Sequence, residues 1–234
     1  LAPAFVLQER EFFISASIGL ALYPQDGIEP STLLKNADTA MYHAKSIGKD
    51  TFQFYQAEMN ATALDRVSLE SDLRRALQDN MLELHCQPQF DCVSGRLTGA
   101  EALLRWQHPT RGAISPAVFV PIAEEIGLIG ALGDWVMDSA CRQMAEWRDN
   151  GYPLPRLAIN LSGRQFTEVQ LAAQVGRVLE RYMLDPTSIE LELTESVLLQ
   201  DVEETMQTLA ALKALGVEIA VDDFGNGYSS LNYL

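Results

Sequence analysis

The segment from residue 189 to residue 224, IELELTESVLLQDVEETMQTLAALKALGVEIAVDDF, decides the predicted fold of this chain. Its two ends, 189–194 and 217–224, are rich in Ile, Leu and Val and are typical of buried β-strands. Between them, residues 202–215 place apolar side chains at helical spacing, and Gly216 follows where a helix commonly stops. A strand, a helix and a second strand in this order favour parallel strands joined by a right-handed crossover.

The same alternation extends from this segment toward the N terminus. Further strands are predicted at 82–90, 97–106 and 157–161, and further helices at 64–78, 116–126, 132–148 and 168–182. This pattern is compatible with a doubly wound open sheet or with a (β/α)8 TIM-type barrel. No GxGxxG or GxxxxGK loop follows a strand, and polar residues cluster at the ends of several strands, so the barrel is favoured. Only five strands are predicted after residue 63, so the barrel is expected to be C-terminally incomplete in this chain.

Residues 1–57 are predicted to form a separate unit. A strand-like stretch covers 12–22, a helix runs from an N-cap at Ser31 to Gly48, and a short strand follows at 52–55. One helix and two strands cannot close a core, so we expect the C-terminal part of a truncated α/β domain. A polar linker at 58–62 then leads into the second domain, residues 63–234.

Composition restricts the classes of ligand. The chain is 47% apolar and 21% charged, as globular proteins are, and 32 acidic against 17 basic residues give a net charge of -15. Such a charge argues against binding to nucleic acid polymers or anionic lipid surfaces. An anionic ligand would therefore need local positive charge, which carboxylate-bound metal ions would supply. Three cysteines without a CxxC motif predict a cytoplasmic location, and an inner-membrane anchor could lie upstream of Leu1.

Acidic and amide side chains lie in or at the ends of four predicted strands. These residues are Glu101, Asn160, Glu192, Asp222 and Asp223. One such acid alone is more often a cap or a surface ion pair, but a charge among apolar strand neighbours is costly unless it is paired or bound to a metal. Oxygen ligands without a Cys or His pattern predict Mg²⁺ or Mn²⁺. Two such ions would neutralise a phosphate and activate a water molecule.

Four motifs at these positions carry a family resemblance. The motif EAL (101–103) followed by LRW (104–106), together with AINLS (158–162), ELTES (192–196) and DDFGNGYSSL (222–231), closely resembles the EAL family over roughly residues 63–234. SASIGLALYPQDG (15–27) and NADTAMYHAKSIGKD (36–50) resemble the C-terminal part of a GGDEF diguanylate cyclase domain. The resemblance implies a tandem GGDEF–EAL protein of bacterial signal transduction. It also implies a (β/α)8 barrel that hydrolyses cyclic-di-GMP to linear pGpG with the help of metal ions.

The resemblance also implies roles for single residues. Glu101, Asn160, Glu192 and Asp222 are expected to bind metal, and Asp223 to bind a second metal ion. Arg105 is expected to contact a substrate phosphate, Gln87 to face the ligand, and Glu195 to anchor the loop 224–230. The family's catalytic lysine, with a further glutamate and glutamine, lies beyond Leu234. A chain that ended at that residue is therefore expected to be inactive and poorly soluble.

Two alternatives to the phosphodiesterase remain open at this point. A catalytically inactive cyclic-di-GMP receptor is one, but degenerate members of the family typically lose the EAL glutamate or the DDF acids, and Glu101, Asp222 and Asp223 are all present. A diguanylate cyclase is the other, and its signature loop would precede Leu1. The resemblance further implies an EAL-mediated homodimer, with the rest of the GGDEF domain and a sensory domain upstream in the same polypeptide.

Overall fold

A computed structural model of the chain describes residues 5–7, 10–12, 15–47, 50–79, 81–166, 170–194 and 202–222. The chain divides into two compact units, 1–71 and 72–234, which are described in turn. No helix in the described ranges combines the length and the apolar composition that a bilayer span requires.

The first unit contains two small sheets and a helix. Strands β1 (Phe5–Leu7) and β2 (Arg10–Phe12) are antiparallel, and β3 (Ile18–Leu20) and β4 (Phe52–Phe54) are parallel. Helix α1 (Pro30–Ser46) begins after an N-cap at Glu29 rather than at the predicted Ser31, because Pro30 is favoured in the first turn. A Cβ atom on Gly19 would lie 1.9 Å from the carbonyl oxygen of Ala37, so α1 rests directly on the backbone of β3.

Helix α2 (Ala57–Ala76) includes the stretch 58–62 that we expected to be a linker. It buries the apolar side chains of Met59, Leu69 and Leu73, and the burial of Met59 favours a helix start before the predicted residue 64. The predicted domain boundaries at residues 57 and 63 stay a prediction.

The second unit is built on one sheet with the strand order β10-β9-β8-β6-β5, and β7 pairs with β6. The strands are β5 (Leu82–Phe90), β6 (Leu97–His108), β7 (Gly112–Ile114), β8 (Leu157–Leu161), β9 (Ile189–Thr194) and β10 (Glu218–Asp222). The expected parallel arrangement holds from β6 through β8 and β9 to β10. Strand β5 runs antiparallel to β6, because the short turn between them leaves no room for a crossover helix.

Helices cover one face of this sheet. They are α3 (Pro116–Glu125), α4 (Ile129–Asp149), α5 (Gly163–Phe166), α6 (Leu171–Tyr182) and α7 (Val202–Leu215), with a 3₁₀ turn at Pro186–Ser188. Apolar side chains of the strands and of α4, α6 and α7 form one continuous core between the helices and the sheet. Ile189, Leu191 and Leu193 point into this core and are fully buried, whereas Glu190 and Glu192 alternate with them and lie on the opposite face.

A buried imidazole holds the end of β6 against the last turns of α2. His108 accepts the backbone N–H groups of Thr110 and Arg111 at Nδ1, each at 3.2 Å. Its other nitrogen, Nε2, therefore carries the proton and donates to Asp72 Oδ2 at 3.2 Å. Both side chains are about nine-tenths buried, so this contact fixes α2 to the strand that carries Glu101 and Arg105.

We expect Leu191→Ala to destabilise the second unit by about 2–5 kcal/mol, because the variant leaves a cavity in the core. Leu191 is 0% exposed, and the matched control Leu97→Ala alters a leucine that is 42% exposed. The control should change the free energy of unfolding by less than about 0.5 kcal/mol. Urea unfolding followed by circular dichroism measures both, and equal losses would contradict the position of the core.

Candidate functional site

The face of the sheet opposite the core collects the polar residues that the sequence singles out. Across β5 and β6, Gln87 lies opposite Glu101. Asn160 in β8 pairs in register with Glu192 in β9, and Asp222 is the last residue of β10. Because β6, β8, β9 and β10 are parallel neighbours, their carboxyl ends meet at one edge, and Asn160, Glu192 and Asp222 lie there.

A hydrogen bond joins two of these strands at the site. The side-chain amide of Asn160 donates through Nδ2 to Glu101 Oε1 at 2.7 Å. The bond links residues 59 positions apart in the chain, and it orients the Glu101 carboxylate toward β8. Predicted ligands from β6 and β8 are thus in direct contact.

The raised pKa of Glu192 shows that other carboxylates lie close to it. Burial raises its pKa, and repulsion from Glu101, Asp222 and Glu190 raises it further, to about 7. Arg156 partly opposes this effect. A cation among these oxygens would relieve both the repulsion and the cost of burial, so the donor set fits a hard divalent metal ion.

The described carboxylates do not by themselves form a closed cage. Within the ranges described above, no three acidic, His or Cys side chains lie close enough together to hold an ion. The predicted second-metal ligand Asp223, the predicted loop anchor Glu195 and the loop 224–230 lie outside the described residues. Their assignments stay predictions.

An ion pair that the sequence analysis missed lies near the opposite end of these strands. Arg156 Nη1 lies 2.9 Å from Glu190 Oε2, and Arg156 directly precedes β8. Glu190 faces the same side of the sheet as Glu192, so the pair balances one of the negative charges beside the site. A basic residue immediately before a strand gives too weak a signal to be found from sequence.

A cavity of about 620 Å³ lies between the strands β6 and β8 and the helices α3 and α4, and it reaches Asn160 at the end of β8. Arg105, Asn160 and Arg164 are among the residues that line it. Arg105 Nη1 donates to the carbonyl oxygen of Leu104 at 2.9 Å, and Arg164 Nη1 donates to the carbonyl oxygen of Glu124. Among the residues that the structure describes, two arginines and one acidic residue, Glu124, line this cavity, so basic side chains outnumber acidic ones there even though the chain as a whole is acidic.

Models of two protein families match the chain. The EAL domain matches residues 70–234, and the diguanylate cyclase, GGDEF domain matches residues 1–51. The order of the two matches agrees with the sequence analysis.

Curated relatives and a solved structure give the same result. The "Bifunctional diguanylate cyclase/cyclic di-GMP phosphodiesterase MucR" of Pseudomonas aeruginosa is 46% identical over 234 residues, which are 100% of this chain and 34% of that protein. The "Cyclic di-GMP phosphodiesterase PdeR" of Escherichia coli is 40% identical over 224 residues, 96% of this chain and 34% of that protein. The chain thus spans about a third of the length of these relatives.

The solved structure "PaMucR Phosphodiesterase, c-di-GMP complex" is 46% identical and superposes with a TM-score of 0.68, over 71% of this chain and 67% of that one. The predicted barrel-type α/β fold is therefore confirmed. The chain belongs to the EAL domain family, and its first 51 residues are part of a GGDEF domain.

Proposed function

We propose that the complete protein hydrolyses cyclic-di-GMP to linear pGpG at the carboxyl edge of this sheet. The observation that carries the proposal is the convergence of Glu101, Asn160, Glu192 and Asp222 from four neighbouring parallel strands. The cavity that reaches Asn160 is lined by Arg105 and Arg164, which would suit an anionic substrate. The names of the relatives and the ligand of the solved complex point to the same dinucleotide.

The residues have three roles in this proposal. Glu101, Glu192 and Asp222 would hold Mg²⁺ or Mn²⁺, which would supply charge neutralisation and an acidified water molecule. Asn160, expected from the resemblance to bind metal as well, also keeps the Glu101 carboxylate oriented by its 2.7 Å hydrogen bond. Arg105 and Arg164 would bind substrate phosphates, a task for which the planar guanidinium fork is well suited.

Several finer expectations belong to the proposal and rest on the family resemblance. They are a second metal ion on Asp223, a loop anchor at Glu195, contact between Gln87 and the ligand, and an EAL-mediated homodimer. A cytoplasmic location, with possible tethering to the inner membrane by an upstream segment, also stays a proposal. Turnover separates the phosphodiesterase from the alternative of an inactive receptor, which would bind cyclic-di-GMP without cleaving it.

We expect Glu101→Ala to lower the turnover of cyclic-di-GMP by more than about 100-fold, because it removes a metal ligand. Glu146→Ala is the matched control, since Glu146 lies on the exposed side of α4 and its side chain pairs only with Arg142 among the contacts described. Hydrolysis in Mg²⁺ and a circular dichroism melt are measured for both variants. Retained turnover in Glu101→Ala would contradict the site.

We expect Mg²⁺ to bind more weakly as the pH falls from 8 to 6, in the absence of substrate. The Glu192 pKa of about 7 means that a proton competes with the metal ion below that pH. For one competing proton, the apparent affinity should fall about tenfold for each pH unit below the pKa. The rise in melting temperature with added Mg²⁺, measured at pH 6, 7 and 8, tests this.

Glu192→Gln provides the control, because its amide does not titrate and the remaining Mg²⁺ response should lose most of its pH dependence. Equal apparent affinity at pH 6 and pH 8 in the wild-type protein would show that Glu192 does not contact the metal.

We also expect excess EDTA to abolish hydrolysis and Mg²⁺ or Mn²⁺ to restore it. Ca²⁺ should not restore it, because the larger ion prefers looser and higher coordination. Hydrolysis measured after adding back each ion to the chelated protein tests this, and full activity in EDTA would contradict a metal-dependent reaction.

A further inference from the structure

The turn after β8 is held closed by a reciprocal pair of residues. The backbone N–H and the Oγ–H of Ser162 donate to Gln165 Oε1 at 3.1 and 2.9 Å. The backbone N–H of Gln165 donates back to Ser162 Oγ at 3.3 Å. This is the capping-box arrangement S-x-x-Q at the start of α5, and it fixes the short segment that contains Arg164.

The side chain of Gln165 lies in a notch that only glycine can provide. Gln165 is 7% exposed. A Cβ atom on Gly133, within α4, would lie 1.5 Å from Gln165 Nε2 and 2.4 Å from its Cδ. A glycine inside a helix is destabilising relative to alanine, so the close approach of Gln165 to Gly133 explains why glycine stands at this position.

This notch lies in the wall of the proposed substrate cavity. Ser162, Arg164 and Gln165 line that cavity, and Asn160 lies two residues before the capped turn. Gly133 and Gln165 also line a second cavity of about 370 Å³ between α4 and α6. A Gln165 side chain displaced from the notch therefore has space to enter without unfolding the helices around it.

We propose that Gln165, seated against Gly133, is a positioning residue that places Arg164 and the end of β8 for binding of cyclic-di-GMP. The inference rests on the proposed function. Gln165 acts through the turn and not on the reacting atoms, because its acceptor oxygen is occupied by Ser162. Its loss should therefore weaken substrate binding more than it slows the chemical step.

The test uses the complete protein with substitutions at both positions. Gly133→Ala should displace Gln165 and raise KM for cyclic-di-GMP about tenfold, with kcat and the melting temperature changed little. Gln165→Ala should likewise raise KM for cyclic-di-GMP about tenfold, with kcat and the melting temperature changed little. Because the two act through one contact, the double variant should lose no more than Gln165→Ala alone.

Two further variants test whether the effect is specific to this contact. Gln165→Glu keeps an acceptor for Ser162 and should hold KM within about threefold of the wild-type value. Gly176→Ala is the matched control, since a Cβ at this α6 position meets only Leu215, at 3.5 Å or more. It should leave KM unchanged.

The dissociation constant of cyclic-di-GMP in Ca²⁺ gives a second readout that needs no turnover. An unchanged KM and dissociation constant in Gly133→Ala, or additive losses in the double variant, would overturn the proposal. A wild-type protein that binds cyclic-di-GMP but does not hydrolyse it would instead refute the proposed function, and the dissociation constants of the variants would still decide the role of Gln165. A wild-type protein that neither binds nor hydrolyses it would overturn both.

Discussion

The two-residue period of the β-strand is the constraint on which the site depends. In β9, burial of Ile189, Leu191 and Leu193 under the helices forces Glu190 and Glu192 onto the other face of the sheet. The hydrophobic core thus offsets the cost of placing charges where they would otherwise be unfavourable. Glu192 shows this cost directly, because burial and three neighbouring carboxylates raise its pKa to about 7. A cation that bound beside the half-buried Glu192 carboxylate would therefore lower the free energy of the folded protein.

The position of positive charge explains how an acidic chain could attract an anion. The net charge of -15 is a property of the whole surface, whereas ligand binding depends on the potential inside one recess. Arg105 and Arg164 line the cavity between the strands and the helices α3 and α4, and Arg156 pairs with Glu190 at 2.9 Å near the other end of the strands. Local arginines, together with metal ions if these bind, would therefore attract an anion even though the protein surface as a whole is negatively charged.

The sequence predicted those parts of the structure that depend on local periodicity. The strands 82–90, 157–161 and 189–194 and the helix 202–215 were predicted with the bounds observed, because each has an apolar pattern that ends at a turn or helix-stop residue. The antiparallel direction of β5 follows from its short connection to β6, which the predicted strand bounds already contained and the sequence analysis overlooked, whereas the early start of α2 depends on tertiary packing. Glu101, Asn160 and Glu192 were singled out because polar groups are rare in buried strands, and their roles stay predictions. The fit of Gln165 against Gly133 was missed because the two residues meet only when α4 packs on the turn after β8.

The reversed direction of β5 determines where the preceding chain reaches the sheet. Leu82, at the start of β5, pairs with Trp106 near the carboxyl end of β6, and the contact between Asp72 and His108 lies beside it. If β5 were parallel to β6, it would begin at the opposite rim of the sheet. The start of β5 would then lie the length of a strand away from the carboxylates. Here the incoming helix arrives on the rim that carries them. A mechanical input through its last turns would therefore have a short path to the groups that handle the ligand.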